Sequence, residues 1–323
     1  MKYSLQRKPG LLSSFPTISI LLISLAIIFF SYVMFGSLGF VVGALVSHLP
    51  LDYMQHMHAD DMSPAYLAGL KVMLIFSDLG QFLLPALLLP WLIFGENPIH
   101  FFGLNKRSHF LLFLLAVLLI LSMQPMVDLT ARINQHMKFP ASLSGLEKSI
   151  QDMEKSAEKI MGHFLYTNNL GGFIINALIV AVLPAIVEEF FFRGFLQTSL
   201  MRWLKNGHWA VFIAAFVFSF IHFEFYGFLP RLLLGMLMGY VYLWSGDIKM
   251  SMLIHFTNNF MGLAMTYYLQ LHGKTPELGA PKDSPTYATY IVSAIFMIAL
   301  LYIFKSRAAS QQLPVYESDQ DEA

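Results

Sequence analysis

The chain has 323 residues, 56% of them hydrophobic and 12% charged, with zero formal net charge and a mean hydropathy of +0.60. Soluble domains carry about a quarter charged residues, so the composition argues for a membrane protein, and no bulk basic field points to nucleic acid. Cysteine is absent, which excludes disulfides, thiolate metal sites and a cysteine nucleophile.

The apolar residues fall in long blocks, and a helix needs roughly 20 of them to cross the hydrocarbon core. Eight spans are predicted, at about 17–46, 68–94, 109–127, 171–199, 209–227, 229–245, 250–270 and 287–304. The opening "MKYSLQRK" and the apolar run after it read as a retained first span, because no small-x-small cleavage site precedes its end. Within that span Gly36, Gly39 and Gly43 mark a tilt, a break or a close helix contact. Between spans three and four, Leu146, Ile150, Met153, Ala157 and Ile160 recur at helical steps. They predict an amphipathic helix at the outer interface, covering the span ends. The tail "ESDQDEA" is a short acidic end, read as disordered.

Loop charges orient the spans. Lys2, Arg7, Lys8, Lys106, Arg107, Arg202, Lys205, Lys249, Lys305 and Arg307 all fall on one side of an eight-span chain. Both termini are therefore expected in the cytoplasm. Compact loops without an added domain suggest a bacterial inner membrane.

Three polar sets interrupt the apolar helices, where ionisable residues are functional candidates by default. The first is "IVEEFFFRGF", residues 186–195. Glu189 and Arg193 are four apart and share a helix face. Glu188 is rotated about 100° from Glu189, so the expectation is a Glu189–Arg193 pair with Glu188 facing a cavity. Pro184 would kink the helix and free backbone carbonyls. In the second set, "FSFIHFEF", His222 lies one turn after Phe218, and Glu224 sits nearer the outer end. In the third, "HFTNNF", His255 and Asn259 share a face, an arrangement that suits anion stabilisation or substrate binding. Each set also has a purely structural reading: a buried charge lock, a satisfied core histidine, and polar glue between helices. Together they fall on spans four, five and seven and would line a cavity open to the cytoplasm. Gly235 and Gly239 of "GMLMG" form a small-xxx-small face for close helix approach.

E-E-x-x-x-R, F-x-x-x-H and H-x-x-x-N, in this order on membrane helices, resemble the CPBP family. Its members are the type II CAAX prenyl endopeptidases and the bacteriocin-processing and immunity relatives called Abi proteins. The likeness runs from about 171 to 270. It divides the chain into N-terminal membrane helices with an outer amphipathic loop (1–170), a catalytic core (171–270), and a last helix with an acidic tail (271–323). The resemblance implies an all-α polytopic membrane endopeptidase with its active site in an intramembrane cavity. Glu188 would be the general base, with His222 holding the same water. His255 and Asn259 would stabilise the oxyanion, and Glu189, Arg193 and Phe218 would support the site. A zinc version would use Glu188, His222 and His255 as ligands. No H-E-x-x-H is present, and the cofactor-free glutamate mechanism is favoured. The implied partners are the lipid bilayer and a membrane-associated peptide or protein, lipidated or not.

Two other classes compete. A non-catalytic immunity or scaffold protein would keep the same fold. A transporter would use Asp78, Gln81, Gln124 and Asn176 to line a polar path, although no internal repeat supports one. Geometry discriminates: catalysis needs Glu188, His222, His255 and Asn259 on one space. The loop "HMHADDM" carries His56, His58, Asp60 and Asp61, a possible metal set that reads more simply as an exposed polar loop.

Overall fold

The computed structural model describes residues 9–56, 63–106, 108–274 and 285–310. Among these, every regular element is helical. The long helices are α1 (Thr17–Ser47), α2 (Pro64–Phe94), α3 (Phe110–Gln135), α4 (Ser144–Leu165), α5 (Leu170–Leu204), α6 (Gly207–Phe220), α7 (Phe228–Ser245), α8 (Ile248–Leu271) and α9 (Tyr287–Ala309). Six of them, α1, α2, α3, α5, α7 and α9, are long and apolar enough to cross a membrane. The protein is thus an all-α, polytopic membrane protein.

The other two expected spans form helices that stand outside this group, each for a physical reason. α6 has 14 residues and rises about 21 Å at 1.5 Å per residue, short of a core of about 30 Å. Its predicted extent to residue 227 is too long: the helix stops at Phe220 and the chain turns, with Phe223 at φ 52°. α8 has 24 residues, but Lys249, His255, Asn258 and Asn259 dilute its apolar character. α8 carries His255 and Asn259, and the turn after α6 carries His222.

α1 is unbroken over 31 residues. Gly39 and Gly43 serve close contact, since a Cβ would lie 2.5 Å from Phe76 Cβ at the first and 2.8 Å from the Gly69 carbonyl of α2 at the second, whereas Gly36 has open space around it. One end of the bundle is tied by Ser108 Oγ donating to Asp247 Oδ2 (2.7 Å), by Lys249 Nζ donating to the carbonyls of Leu104 and Lys106, and by the Arg202–Glu96 pair. At the opposite end Asn134 donates to Phe225 O (2.9 Å) and accepts from Leu229 N (2.7 Å). The amphipathic helix α4 lies at this second end. Glu154 accepts from the backbone N–H of Phe225, Glu147 accepts from Tyr226 Oη, and Gln151 donates to Tyr226 Oη. Its polar side grips the 221–227 turn, leaving Leu146 and Met153 more than half exposed.

Two long helices widen into π segments, Leu79–Leu83 in α2, and Leu178–Val182 and Phe190–Gln197 in α5. Such segments recur at functional sites. Prolines at 85 and 184 follow the first two. Pro184 has no N–H to return to the carbonyl of Val180, and that carbonyl instead accepts from Asn259 Nδ2 at 3.1 Å.

α7 packs on α6 and α5 through its two glycines. Arg193 Nη2 donates to Gly235 O (3.1 Å) and Gln197 Nε2 to Gly239 O (3.0 Å), matching four-residue steps on both helices. A Cβ on Gly239 would lie 2.9 Å from Val211 Cγ1 and 3.0 Å from Gln197 Oε1. Gly239→Leu is therefore expected to destabilise the fold by about 1–3 kcal/mol through overpacking. Thermal unfolding in detergent checks this, with Gly262→Leu, which has open space around it, as the neutral control.

Candidate active site

A cavity of about 380 Å³ lies among α2, α4, α5, α7, α8 and the turn after α6. Glu188, His222, His255 and Asn259 all line it. Its wall reaches Met161 of α4 and includes none of the residues that tie the Lys106–Lys249 end. The lining residues thus lie toward the α4 end of the bundle and away from the lysine-rich ties. His222 sits beyond the end of α6, next to the turn under α4.

The adjacent glutamates divide as their spacing predicts. Glu189, fully buried, accepts from Arg193 Nη1 through Oε1 at 2.7 Å. Arg193 is also buried; its guanidinium lies 4.8 Å from the Phe218 ring centroid. Glu188 turns to the cavity, with Oε2 buried and without a hydrogen-bond partner. Phe218 stands between the two sets, edge-on to His222 at 5.0 Å and to His255 at 6.0 Å. It shields the ion pair on one side and orients both imidazoles on the other.

Hydrogen bonds fix what each ring offers. His222 Nδ1 is 2.7 Å from Phe218 O, an acceptor, so Nδ1 carries the proton and the neutral ring presents a bare Nε2. His255 Nδ1 is 2.8 Å from Glu189 Oε1, with the same consequence for its Nε2, which lies 4.0 Å from Glu188 Oε2. That gap is too long for a direct hydrogen bond. Asn259 holds Val180 O with Nδ2 and accepts from Asn258 Nδ2 at 3.2 Å, which leaves one amide N–H unspent.

The residues weighed for a transport path are divided between the cavity and the helix contacts around it. Asp78 and Gln81 line the same cavity as Glu188. Asn176 is held between Lys71 Nζ (2.7 Å) and Leu165 O (3.0 Å), and Gln124 donates to Ile120 O and to Oδ1 of the cavity-lining Asn258 (3.5 Å). His56 Nδ1 rests on Asp52 O; His58, Asp60 and Asp61 lie outside the described residues. Among the described residues no three His, Asp or Glu are arranged to hold a metal. Bare Nε2 atoms are the right donor chemistry for zinc, but Glu188, His222 and His255 do not converge as ligands here.

Sequence reasoning passed over Arg231, which lines the cavity from the first turn of α7. The signal was present: a lone arginine opening the apolar run "LPRLLLGMLMG" is an intramembrane charge.

Fold and cavity thus define a polytopic membrane protein with a carboxylate, two histidines and an asparagine around one buried space. Residues 170–261 match the family of type II CAAX prenyl endopeptidase Rce1-like proteins. The chain is also similar to the uncharacterized protein YyaK of Bacillus subtilis (strain 168), 28% identical over 149 residues. That alignment covers 42% of this chain and 50% of the relative, so the chain spans about half the length of the curated protein it matches. No solved structure matches the chain.

Proposed function

We propose that the protein is an intramembrane endopeptidase that hydrolyses a peptide bond in a membrane-associated peptide or protein. The observation that carries this reading is the sharing of one cavity by Glu188, His222, His255 and Asn259, while Glu189 and Arg193 neutralise each other behind it. A water between Glu188 and His222 attacks the scissile carbonyl as Glu188 takes its proton. The carbonyl electrons move onto oxygen. Collapse of the adduct breaks the C–N bond, and the proton held by Glu188 passes to the leaving amine. Asn259 offers its remaining N–H to the oxyanion. His255 is a donor there only as the imidazolium, because its Nδ1 is committed to Glu189. No step needs a metal. The substrate arrives from the bilayer, lipidated or not, with both termini in the cytoplasm of a bacterial cell and the α4 end of the cavity facing the other side.

The test is comparative proteomics of protein termini and released peptides in cells carrying the wild type or Glu188→Gln. New termini are expected in the wild type alone; identical sets would defeat the hydrolytic reading in favour of a scaffold. Asn259→Ala is expected to slow the same cleavage by about 10²–10³-fold, the range for losing one oxyanion donor, measured as the rate of product appearance.

A further inference from the structure

Hydrolysis in this cavity needs donors where negative charge develops, and the motif residues supply few. His222 and His255 have committed Nδ1 to Phe218 O and Glu189 Oε1. The His222 ring presents a lone pair, as Glu188 does, and His255 has only Nε2 left to offer. Asn259 has committed one N–H to Val180. The motif residues are thus rich in acceptors and short of donors, and Gln81 and Asn258 add only neutral amides to the lining.

Arg231 reverses that balance. It lines the same cavity, and its Nη1 is buried without a hydrogen-bond partner. Its Nη2 is held by Glu224 Oε2. One branch of the guanidinium is anchored while the other is unspent. The group is held against the backbone as well, since a Cβ on Gly227 would lie 2.6 Å from Nη1. It is near enough to Glu154, Glu188 and His222 for its charge to act on all three. A buried donor on a cation is costly to leave unmade, and a guanidinium matches oxygen anions better than any other side chain.

We propose that Arg231 is the anion-binding residue of the cavity, its Nη1 taking an anionic oxygen of the bound peptide. That oxygen is either the oxyanion of the tetrahedral adduct or a carboxylate of the substrate. No proton is transferred; the arginine donates a hydrogen bond and its charge. The kinetic arm of the test rests on the hydrolytic reading, and the binding arm does not.

For binding, the full chain in lipid nanodiscs is titrated with 4-phenylbutyrate and with 4-phenylbutyramide, read by thermal unfolding. The carboxylate is expected to bind wild type at least roughly ten-fold more tightly than the amide, as one charge-assisted hydrogen bond would give. Arg231→Gln should bring the ratio to about one, whereas Glu224→Gln should keep it. In the wild type, phenylbutyrate should also protect Arg231 from phenylglyoxal, mapped by mass spectrometry, a readout that needs no variant to fold. Equal binding of the two probes by the wild type, or no protection of Arg231, overturns the proposal.

For kinetics, a peptide spanning a mapped cleavage site is compared as free acid and as carboxamide. A loss in kcat on both peptides with Arg231→Gln assigns the anion to the oxyanion. A rise in KM on the free acid alone assigns it to a substrate carboxylate. Unchanged kcat and KM on both overturn the proposal. Absence of Glu188-dependent cleavage alongside intact carboxylate preference would defeat the hydrolytic reading and leave the anion site standing.

Discussion

Glu188→Gln is expected to insert and fold as the wild type does and to lose about 10²–10⁴-fold in hydrolysis rate, the range for a positioned general base. Glutamine keeps the shape of the side chain but cannot accept the proton of an attacking water. The structure makes the experiment discriminating. Glu188 Oε2 has no hydrogen-bond partner, and His255 Nε2 is 4.0 Å away. Substitution therefore breaks no bond through that oxygen, and a purely structural role predicts little change in activity. Thermal unfolding and product formation should be measured on the same preparation. Full activity in a well-folded Glu188→Gln protein would remove the base from the mechanism. Loss of wild-type activity to a chelator, with recovery on adding zinc, would instead move the reading to the metal version.

Arg193→Leu is expected to be the most destabilising single change in the core, costing about 3–5 kcal/mol, because it strands a buried carboxylate. Arg193 is bound through Nη1 to Glu189 and through Nη2 to Gly235 O, and it lies over Phe218. Glu189→Leu should cost a similar amount, since it strands the guanidinium. The double variant Glu189→Leu with Arg193→Leu should recover a large part of the loss, because neither charge is then orphaned. It should not recover hydrolysis, because His255 Nδ1 would still lack the carboxylate that orients it. Thermal unfolding in detergent and product formation separate the two effects. A double variant as unstable as the sum of the singles would show that the pair does not act as a unit.

The local parts of the candidate site were legible because they depend on helix geometry alone. Four-residue spacing gave the Glu189–Arg193 pair, and the 100° step gave Glu188 a different face. Pro184 announced a freed carbonyl, though not that Asn259 would occupy it. The apolar run from 209 to 227 reads as one helix containing His222, while the chain in fact turns after Phe220. Asp78 was set aside for a transport path, yet it lines the Glu188 cavity. Arg231 was passed over because the motif pattern drew attention to other charges.

The sequence by itself determined a helical membrane protein and the polar sets most worth watching. Long apolar blocks and i, i+4 pairs are short-range properties, and burial in lipid leaves the backbone little choice but helix. Only the tertiary structure decided that residues on α5, α8 and the turn after α6 share one space. It also decided that this space reaches α4 instead of the lysine-rich end, and that an arginine of α7 brings an unspent donor to it. Those outcomes depend on the rotation and depth of helices packed through glycines and π segments. A quarter turn of one helix, invisible in a hydropathy pattern, exchanges the side chain that faces a cavity for the one that faces lipid.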